Sequence, residues 1–378
     1  MKKSNSDNSR RQFLHDVGLV GLSIPFLSLN SNCTDDPKQT FMKNKKDGKL
    51  GIALVGLGGY ATGQLGPALL QTEHCYLAGI VTGSPSKIPA WKEKYGIPDK
   101  NIYNYDNYDS IANNPDIDIV YVVLPNSMHA EYTIRAAGAG KHVICEKPMA
   151  ISVEECNRMM NACKAANKSL SIGYRLHFDP YNLEMARLGT QKVYGDIKKL
   201  SSTFSFVAQA GQWRLDKKLA GGGPLMDLGI YCMQGIMYTT GMEPVAVTAQ
   251  SPPVSDPSKF KNVEETLSWQ MEMPNGAIAE CRTSYSESGN FLRAEAANGW
   301  FELKPAFNYS GLKGSTSDGK VIEYPRLSQQ AKQMDGIALA IKNNKTSIVP
   351  GEMGRRDLRI IEAIYEAMRT GKRISTKF

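Results

Sequence analysis

KLGIALVGLGGYATGQLGPALL, residues 49–70, decides how this chain is read. Leu50, Ile52, Ala53, Leu54 and Val55 form a short, nearly continuous apolar run, the pattern of a strand buried on both faces. Gly56-Leu57-Gly58-Gly59-Tyr60-Ala61 follows as G-x-G-x-x-A, and a helix is expected through Leu70. In such a turn Gly56 makes the tight bend, Gly58 lets the backbone approach a pyrophosphate, and Ala61 lets helix and strand pack closely. The first helix amides then present the positive end of the helix dipole to the phosphates. A glycine-rich turn alone is common, so the strand–turn–helix order around it is what gives the motif weight.

Outward from this unit the pattern alternates. Strands are expected at 76–81, 117–124, 142–145 and 170–173, with helices at 127–139 and 153–166. Such alternation, with apolar β-branched strands, predicts a doubly wound parallel sheet over 49–174. Ligands bind beyond the carboxyl ends of such strands. That puts Thr82-Gly83-Ser84, Leu124-Pro125-Asn126, Glu146-Lys147-Pro148 and Tyr174-Arg175 on one rim. NAD-preferring domains carry an acid at the end of the second strand. Here the end reads Val81-Thr82-Gly83-Ser84-Pro85-Ser86-Lys87, with hydroxyls and a lysine suited to a 2′-phosphate. NADP is the expected cofactor, with NAD as the alternative.

After Arg175 the texture changes. Strands are expected at 197–206, 245–250, 264–273 and 277–285, most without helices between them. They predict a second, mostly antiparallel sheet, with Met273-Pro274-Asn275-Gly276-Ala277 as a hairpin turn. Helices are expected at 180–188, 225–238, 327–342 and 355–369. This part, 175–378, reads as a substrate and oligomerisation domain.

The 378 residues, 42% hydrophobic and 22% charged, allow two domains and a sizeable core. The net charge of +8 includes Lys2, Lys3, Arg10 and Arg11, and no basic run interleaved with aromatics follows, which argues against nucleic-acid binding. Ser9-Arg10-Arg11-Gln12-Phe13-Leu14 resembles a twin-arginine export signal, and the apolar segment 17–29 is too short to span a bilayer. Residues 1–33 are therefore read as a signal region, 34–48 as a flexible linker, and the destination as the periplasm. Ser31-Asn32 before Cys33 is a poor match to a lipobox, so a lipid anchor there is not expected. The seven cysteines and five histidines show no metal-ligand spacing.

Taken together, the chain resembles the glucose-fructose oxidoreductase / inositol dehydrogenase (Gfo/Idh/MocA) family, and within it the glucose-fructose oxidoreductase branch. The matching blocks are the glycine turn, LPNSMHAE (124–131), AGKHVICEKP (139–148), GYR (173–175), QWR (212–214) and LAGGGPLMDLGIY (219–231). The resemblance implies a Rossmann domain and a C-terminal α/β domain whose open-faced sheet makes dimer or tetramer contacts. It implies a nicotinamide cofactor and sugar or polyol chemistry. By position, Gly56, Gly58, Gly59, Tyr60 and Ala61 form the phosphate turn. Thr82, Lys87 and Tyr105 match contacts around the adenosine phosphate. Pro125, Asn126, His129, Glu146 and Lys147 match the nicotinamide side, and Trp213 with Arg214 a cofactor-clasping pair, while Leu124 and Arg175 on the same rim are further cofactor-binding candidates.

Asp227 and Tyr231 are four apart on an expected helix, hence on one face. Much of the family has histidine at the second position, and the glucose-fructose oxidoreductase branch has tyrosine. A free phenol ionises near pH ~10, so base catalysis at neutral pH calls for a nearby cation, which Lys147 provides. The expected chemistry is hydride transfer. Tyr231 takes the hydroxyl proton, Lys147 polarises that hydroxyl, and Asp227 orients substrate and tyrosine. The alternatives are an NAD-dependent, redox-assisted glycoside hydrolase and a non-catalytic nucleotide sensor.

Overall fold

The computed structural model describes residues 48–377. The export signal, Cys33 and the linker up to residue 47 lie outside the described residues.

Six parallel strands form the first sheet, in the order β3-β2-β1-β4-β5-β6. They are β1 (Leu50–Val55), β2 (Cys75–Val81), β3 (Ile102–Tyr103), β4 (Ile119–Val122), β5 (His142–Cys145) and β6 (Leu170–Ile172). Ile52, Leu54, Ile80, Val120, Val122 and Ile144 are fully buried, as strands covered on both faces require. The covering helices include α1 (Gly66–Leu69), α2 (Ile88–Tyr95), α3 (His129–Gly138) and α4 (Val153–Ala165). The single helix expected through Leu70 is instead a five-residue π turn, Ala61–Leu65, that continues as α1. The short β3 lacks the length to show a period in the sequence.

Beyond α5 (Pro180–Thr190) the second sheet begins with β7 (Ile197–Ser205). After the short α6 (Lys217–Ala220), a π turn at Leu225–Gly229 leads into α7 (Ile230–Thr240). The rest of the sheet is β8 (Ala246–Gln250), β9 (Thr266–Glu272), β10 (Ile278–Ser284), β11 (Gly289–Ala296), β12 (Gly299–Leu303), β13 (Gly314–Thr316) and β14 (Val321–Ile322). Helices α8 (Gln329–Lys342) and α9 (Gly351–Thr370) then lead to the last strand, β15 (Ile374–Ser375). The order is β14-β13-β12-β11-β7-β10-β9-β8-β15. Neighbours are antiparallel except β7 and β10, which run parallel. Gly276, at φ +83°, closes the expected β9–β10 hairpin, and the Met273 N–H donates to the Ala277 carbonyl at 2.9 Å. On β9, Leu267, Trp269 and Met271 are buried, and Gln270 between them is exposed. One face of the sheet packs on α7, and the other presents polar side chains.

The two sheets are tied together. Helix α9 packs on α4 and β6 of the first domain and on β8 of the second. Asp335 of α8 accepts the backbone N–H groups of Glu73 (2.9 Å) and His74 (2.8 Å), just before β2. Asn126 donates to the Ala220 carbonyl at 2.8 Å, and Ile172 N–H donates to the Val349 carbonyl at 2.8 Å.

Candidate active site

A cavity of about 760 Å³ opens where the carboxyl ends of β1, β2, β4 and β5 meet the π turn before α7 and the loop at 307–310. Its floor is the glycine turn. Gly56 has φ +95°, and a Cβ there would lie 2.4 Å from the Val123 carbonyl oxygen, so only glycine makes the bend. Gly58 and Gly59 differ, because a Cβ on either meets nothing within 4 Å. Their missing side chains leave open the space that a pyrophosphate requires, so the turn fits a dinucleotide. Tyr60 and Ala61 complete this wall.

Thr82, Lys87 and Tyr105 line one end of the cavity. Thr82 Oγ1 accepts the Ser84 N–H at 3.0 Å, which shapes the turn after β2. Lys87 reaches back over the glycine turn and donates to the Leu57 carbonyl at 2.8 Å. Partial burial lowers the pKa of this lysine. Among the described residues, no carboxylate lines this end.

Leu124, Pro125, Asn126, Glu146, Lys147 and Arg175 line the middle, so the predicted rim is assembled. His129 is a correction. It is fully buried beneath this wall, with Nδ1 2.9 Å from the Pro148 carbonyl and Nε2 2.8 Å from the Leu124 carbonyl. It braces the two rim segments against each other and does not face the cavity.

At the far end lie Trp213, Arg214, Asp227 and Tyr231. Lys147 Nζ donates to Asp227 Oδ1 at 3.0 Å and to the Asp227 backbone carbonyl at 2.6 Å. Of its three N–H donors, that leaves one for an oxygen in the cavity. Asp227 Oδ2 accepts from Arg214 at 2.9 Å and from the Tyr285 hydroxyl at 3.1 Å. Burial alone would raise the Asp227 pKa, but Lys147 and Arg214 outweigh it and hold the carboxyl well below the usual range. Burial likewise works to lower the Lys147 pKa, and Tyr231 and Asp227 reverse it, so the ammonium is kept charged. The expectation that Asp227 orients Tyr231 is corrected here, because both of its oxygens are committed elsewhere and the tyrosine it holds is Tyr285. Tyr231 lies between two cations, with Lys147 Nζ 4.8 Å and the Arg175 guanidinium 5.2 Å from its ring centre. Arg175 is itself anchored, donating to the Phe307 carbonyl (2.5 Å), the Asn308 carbonyl (3.2 Å) and Gln329.

The chain matches the profile described as "Oxidoreductase family, NAD-binding Rossmann fold" over residues 50–174 and the "GFO/IDH/MocA C-terminal domain" over 183–302. It belongs to the Gfo/Idh/MocA oxidoreductase family. A solved relative in this family is the aldose-aldose oxidoreductase from Caulobacter crescentus, complexed with glycerol. It is 42% identical, with a TM-score of 0.84 over 86% of this chain and 99% of the relative. The D-xylose 1-dehydrogenase (NADP(+)) 2 of Haloferax volcanii is 28% identical over 85% of this chain and 98% of its own. The D-glucoside 3-dehydrogenase of Escherichia coli is 25% identical over 86% and 97%. The family's N-terminal domain is a nicotinamide-dinucleotide-binding one, and this chain is an oxidoreductase.

Sequence reasoning missed part of the wall. Phe204, Phe206, Phe307, Asn308 and Tyr309 all line the cavity. The first two stand at the end of β7, where an alternating strand gives no sign of which face meets a ligand. The others sit in an irregular loop, where no period exists to read. Only the turn-forming run Asn308-Tyr309-Ser310-Gly311 marks that loop in the sequence.

Proposed function

We propose that this protein moves hydride between the hydroxyl-bearing carbon of a sugar and NADP that stays in its cavity from one substrate to the next. The observation that carries this is the meeting of Lys147, Asp227, Arg214 and Tyr231 in the same cavity as the glycine turn. The 42%-identical aldose-aldose oxidoreductase and the xylose and glucoside dehydrogenases support the substrate class. When bound, the nicotinamide supplies hydride acceptance and donation. The residues do the rest. The open N–H of Lys147 binds the substrate oxygen. The Tyr231 oxygen takes the hydroxyl proton as hydride leaves the carbon, and returns it when a second sugar is reduced. Lys147 and Arg175 meet the negative charge that develops at the reacting oxygen. Asp227 stays ionised throughout and keeps Lys147 in place.

NADP is favoured over NAD by Thr82, Lys87 and the carboxylate-free end of the cavity. The twin-arginine-like motif supports export of the folded protein to the periplasm, which cell fractionation checks. The polar face of the second sheet supports a homodimer or homotetramer through that sheet, and light scattering checks it.

The test is to purify the protein without added cofactor and record its near-ultraviolet absorbance while adding single sugars. A reduced-nicotinamide band that appears with one sugar and vanishes with another establishes the shuttle. A protein that binds nucleotide and never reduces it with any sugar overturns the proposal.

A further inference from the structure

Glu146 has no part in the chemistry above, yet its surroundings are built around it. It is 8% exposed and lines the cavity beside Lys147. Its Oε1 accepts the Tyr121 hydroxyl at 2.6 Å, and that hydroxyl accepts from Gln333 Nε2 at 2.7 Å. Tyr121, on β4, and Gln333, on α8, are both fully buried. Gly173 makes room, because a Cβ there would stand 2.5 Å from Glu146 Oε1.

Gln333 Oε1 is buried and has no hydrogen-bond partner among the described residues. Buried amide oxygens are nearly always paired, so the orphan needs a reason. Rotating the amide by half a turn exchanges oxygen for nitrogen at Tyr121. Two complete chains then become available. With Glu146 charged, Gln333 donates to Tyr121 and Tyr121 donates to the carboxylate. With Glu146 neutral, the carboxyl O–H donates to Tyr121 and Tyr121 donates to Gln333 Oε1. Each of the three side chains keeps a partner in either state, and the unpaired end of the Gln333 amide is the oxygen in one and the NH₂ in the other.

We propose that Glu146, Tyr121 and Gln333 form a reversible proton relay, in which Glu146 holds a proton while the reduced, neutral nicotinamide is bound and releases it when the oxidised, cationic form is bound. This rests on the nicotinamide reading of the cavity. The balance is simple. Oxidising a sugar hydroxyl removes a hydride from carbon and passes the hydroxyl proton to Tyr231, where it stays until the second sugar is reduced. The O–H bond formed at Glu146 is separate: its proton comes from the solvent buffer as the nicotinamide loses its positive charge, and returns there when reduction of the second sugar restores that charge. Gln333 is a positioning residue that acts through Tyr121.

Burial raises the Glu146 pKa to about 7, while the Tyr121 hydroxyl, the adjacent Lys147 and Arg175 oppose that rise. The Lys147 N–H donates to Oε2 at 3.2 Å. Tyr60, Tyr309 and the buried Cys145 thiol are the other titratable groups that feel the carboxyl. Neutral at these pH values, they add no competing charge.

The test is the ratio of NADP⁺ to NADPH dissociation constants between pH 5.5 and 8.5, measured by titration on the purified protein after any bound nucleotide has been removed. Both nucleotides share their adenosine half, so its own titration cancels. In the unaltered protein the ratio changes by up to ~tenfold per pH unit around neutrality. E146Q makes it flat. Y121F and Q333L each remove a hydrogen bond that favours the carboxylate, so each moves the midpoint upward by roughly half a unit to one unit. A ratio independent of pH in the unaltered protein overturns the relay, and so does a pH dependence that survives in E146Q. Q333L affinities that fall equally at all pH values, with the midpoint unmoved, show Gln333 to be mere packing and also overturn it. Failure to bind either nucleotide at any pH overturns the reading of the cavity itself, and the relay with it.

Discussion

Replacing Asp227 by asparagine preserves the shape of the side chain and removes the charge shared by Lys147 and Arg214. The geometry makes this substitution harsher than its size suggests. One carboxylate oxygen faces Lys147 at 3.0 Å, and the other faces Arg214 at 2.9 Å. An amide offers one oxygen and one NH₂, so one of the two cations must face a donor. Two unit charges about 4 Å apart attract by about 4 kcal/mol at an effective dielectric near 20. Removing one partner of a buried pair costs about 3–5 kcal/mol. The lower end applies here, because the Lys147 and Asp227 side chains are 12% and 16% exposed and Arg214 is 34% exposed. At about 1–1.5 °C per kcal/mol for a chain of this length, the loss lowers Tm by roughly 3–5 °C. Hydride transfer falls by ~10²-fold or more, because the Lys147 ammonium is no longer held to the substrate oxygen. Thermal unfolding and single-turnover absorbance report the two effects separately. Adding R214M removes one of the stranded donors, so the double variant recovers about 1–3 kcal/mol relative to the sum of the singles. Additivity within about 0.5 kcal/mol, or a D227N protein of unchanged Tm and rate, would refute this account of the charge network.

Tyr231→Phe should slow hydride transfer by ~10²–10⁴-fold with little change in nucleotide affinity, and pre-steady-state absorbance measures it. Gly58→Val should abolish nucleotide binding while leaving the circular dichroism spectrum intact, because its side chain enters open cavity. Gly56→Ala should instead lower Tm, because its Cβ meets the Val123 carbonyl at a φ that only glycine tolerates. Glu146 makes apo stability fall as pH rises. Its folded pKa of about 7 lies above the ordinary 4.5, so the folded state binds more protons between those values, and about 3 kcal/mol is lost across that window. Tm measured at pH 5 and pH 8 should show this slope in the unaltered protein and lose it in E146Q.

The parallel sheet was legible because its strands are buried on both faces, which writes them as unbroken apolar runs such as 52–55 and 119–122. The edge strand Ile102–Tyr103 and the strands after residue 286 were not, since two- to eight-residue segments with half-exposed faces carry little period. Lys147, Asp227 and Tyr231 could be found because they lie in contiguous blocks of family pattern. Their partners could not be assigned that way. Tyr285 reaches Asp227 from a strand end 58 residues away, and Gln333 reaches Tyr121 across 212 residues. His129 shows the converse. Its block is correct, but block position does not say which way a ring points, and here it points into backbone carbonyls.

The ties between the two domains govern traffic through the cavity. Asn126 to Ala220, Ile172 to Val349 and Asp335 to residues 73–74 fasten the halves on several sides at once. A hinge that opened the cleft would have to break them together. Entry and exit therefore fall to the surface segments over the mouth, 206–214 and 307–310. A large dinucleotide held beneath them would leave more slowly than a small sugar. On the shuttle proposed above, the nucleotide would then act as a resident prosthetic group, and the steady state would be set by how quickly two sugars take turns at one door.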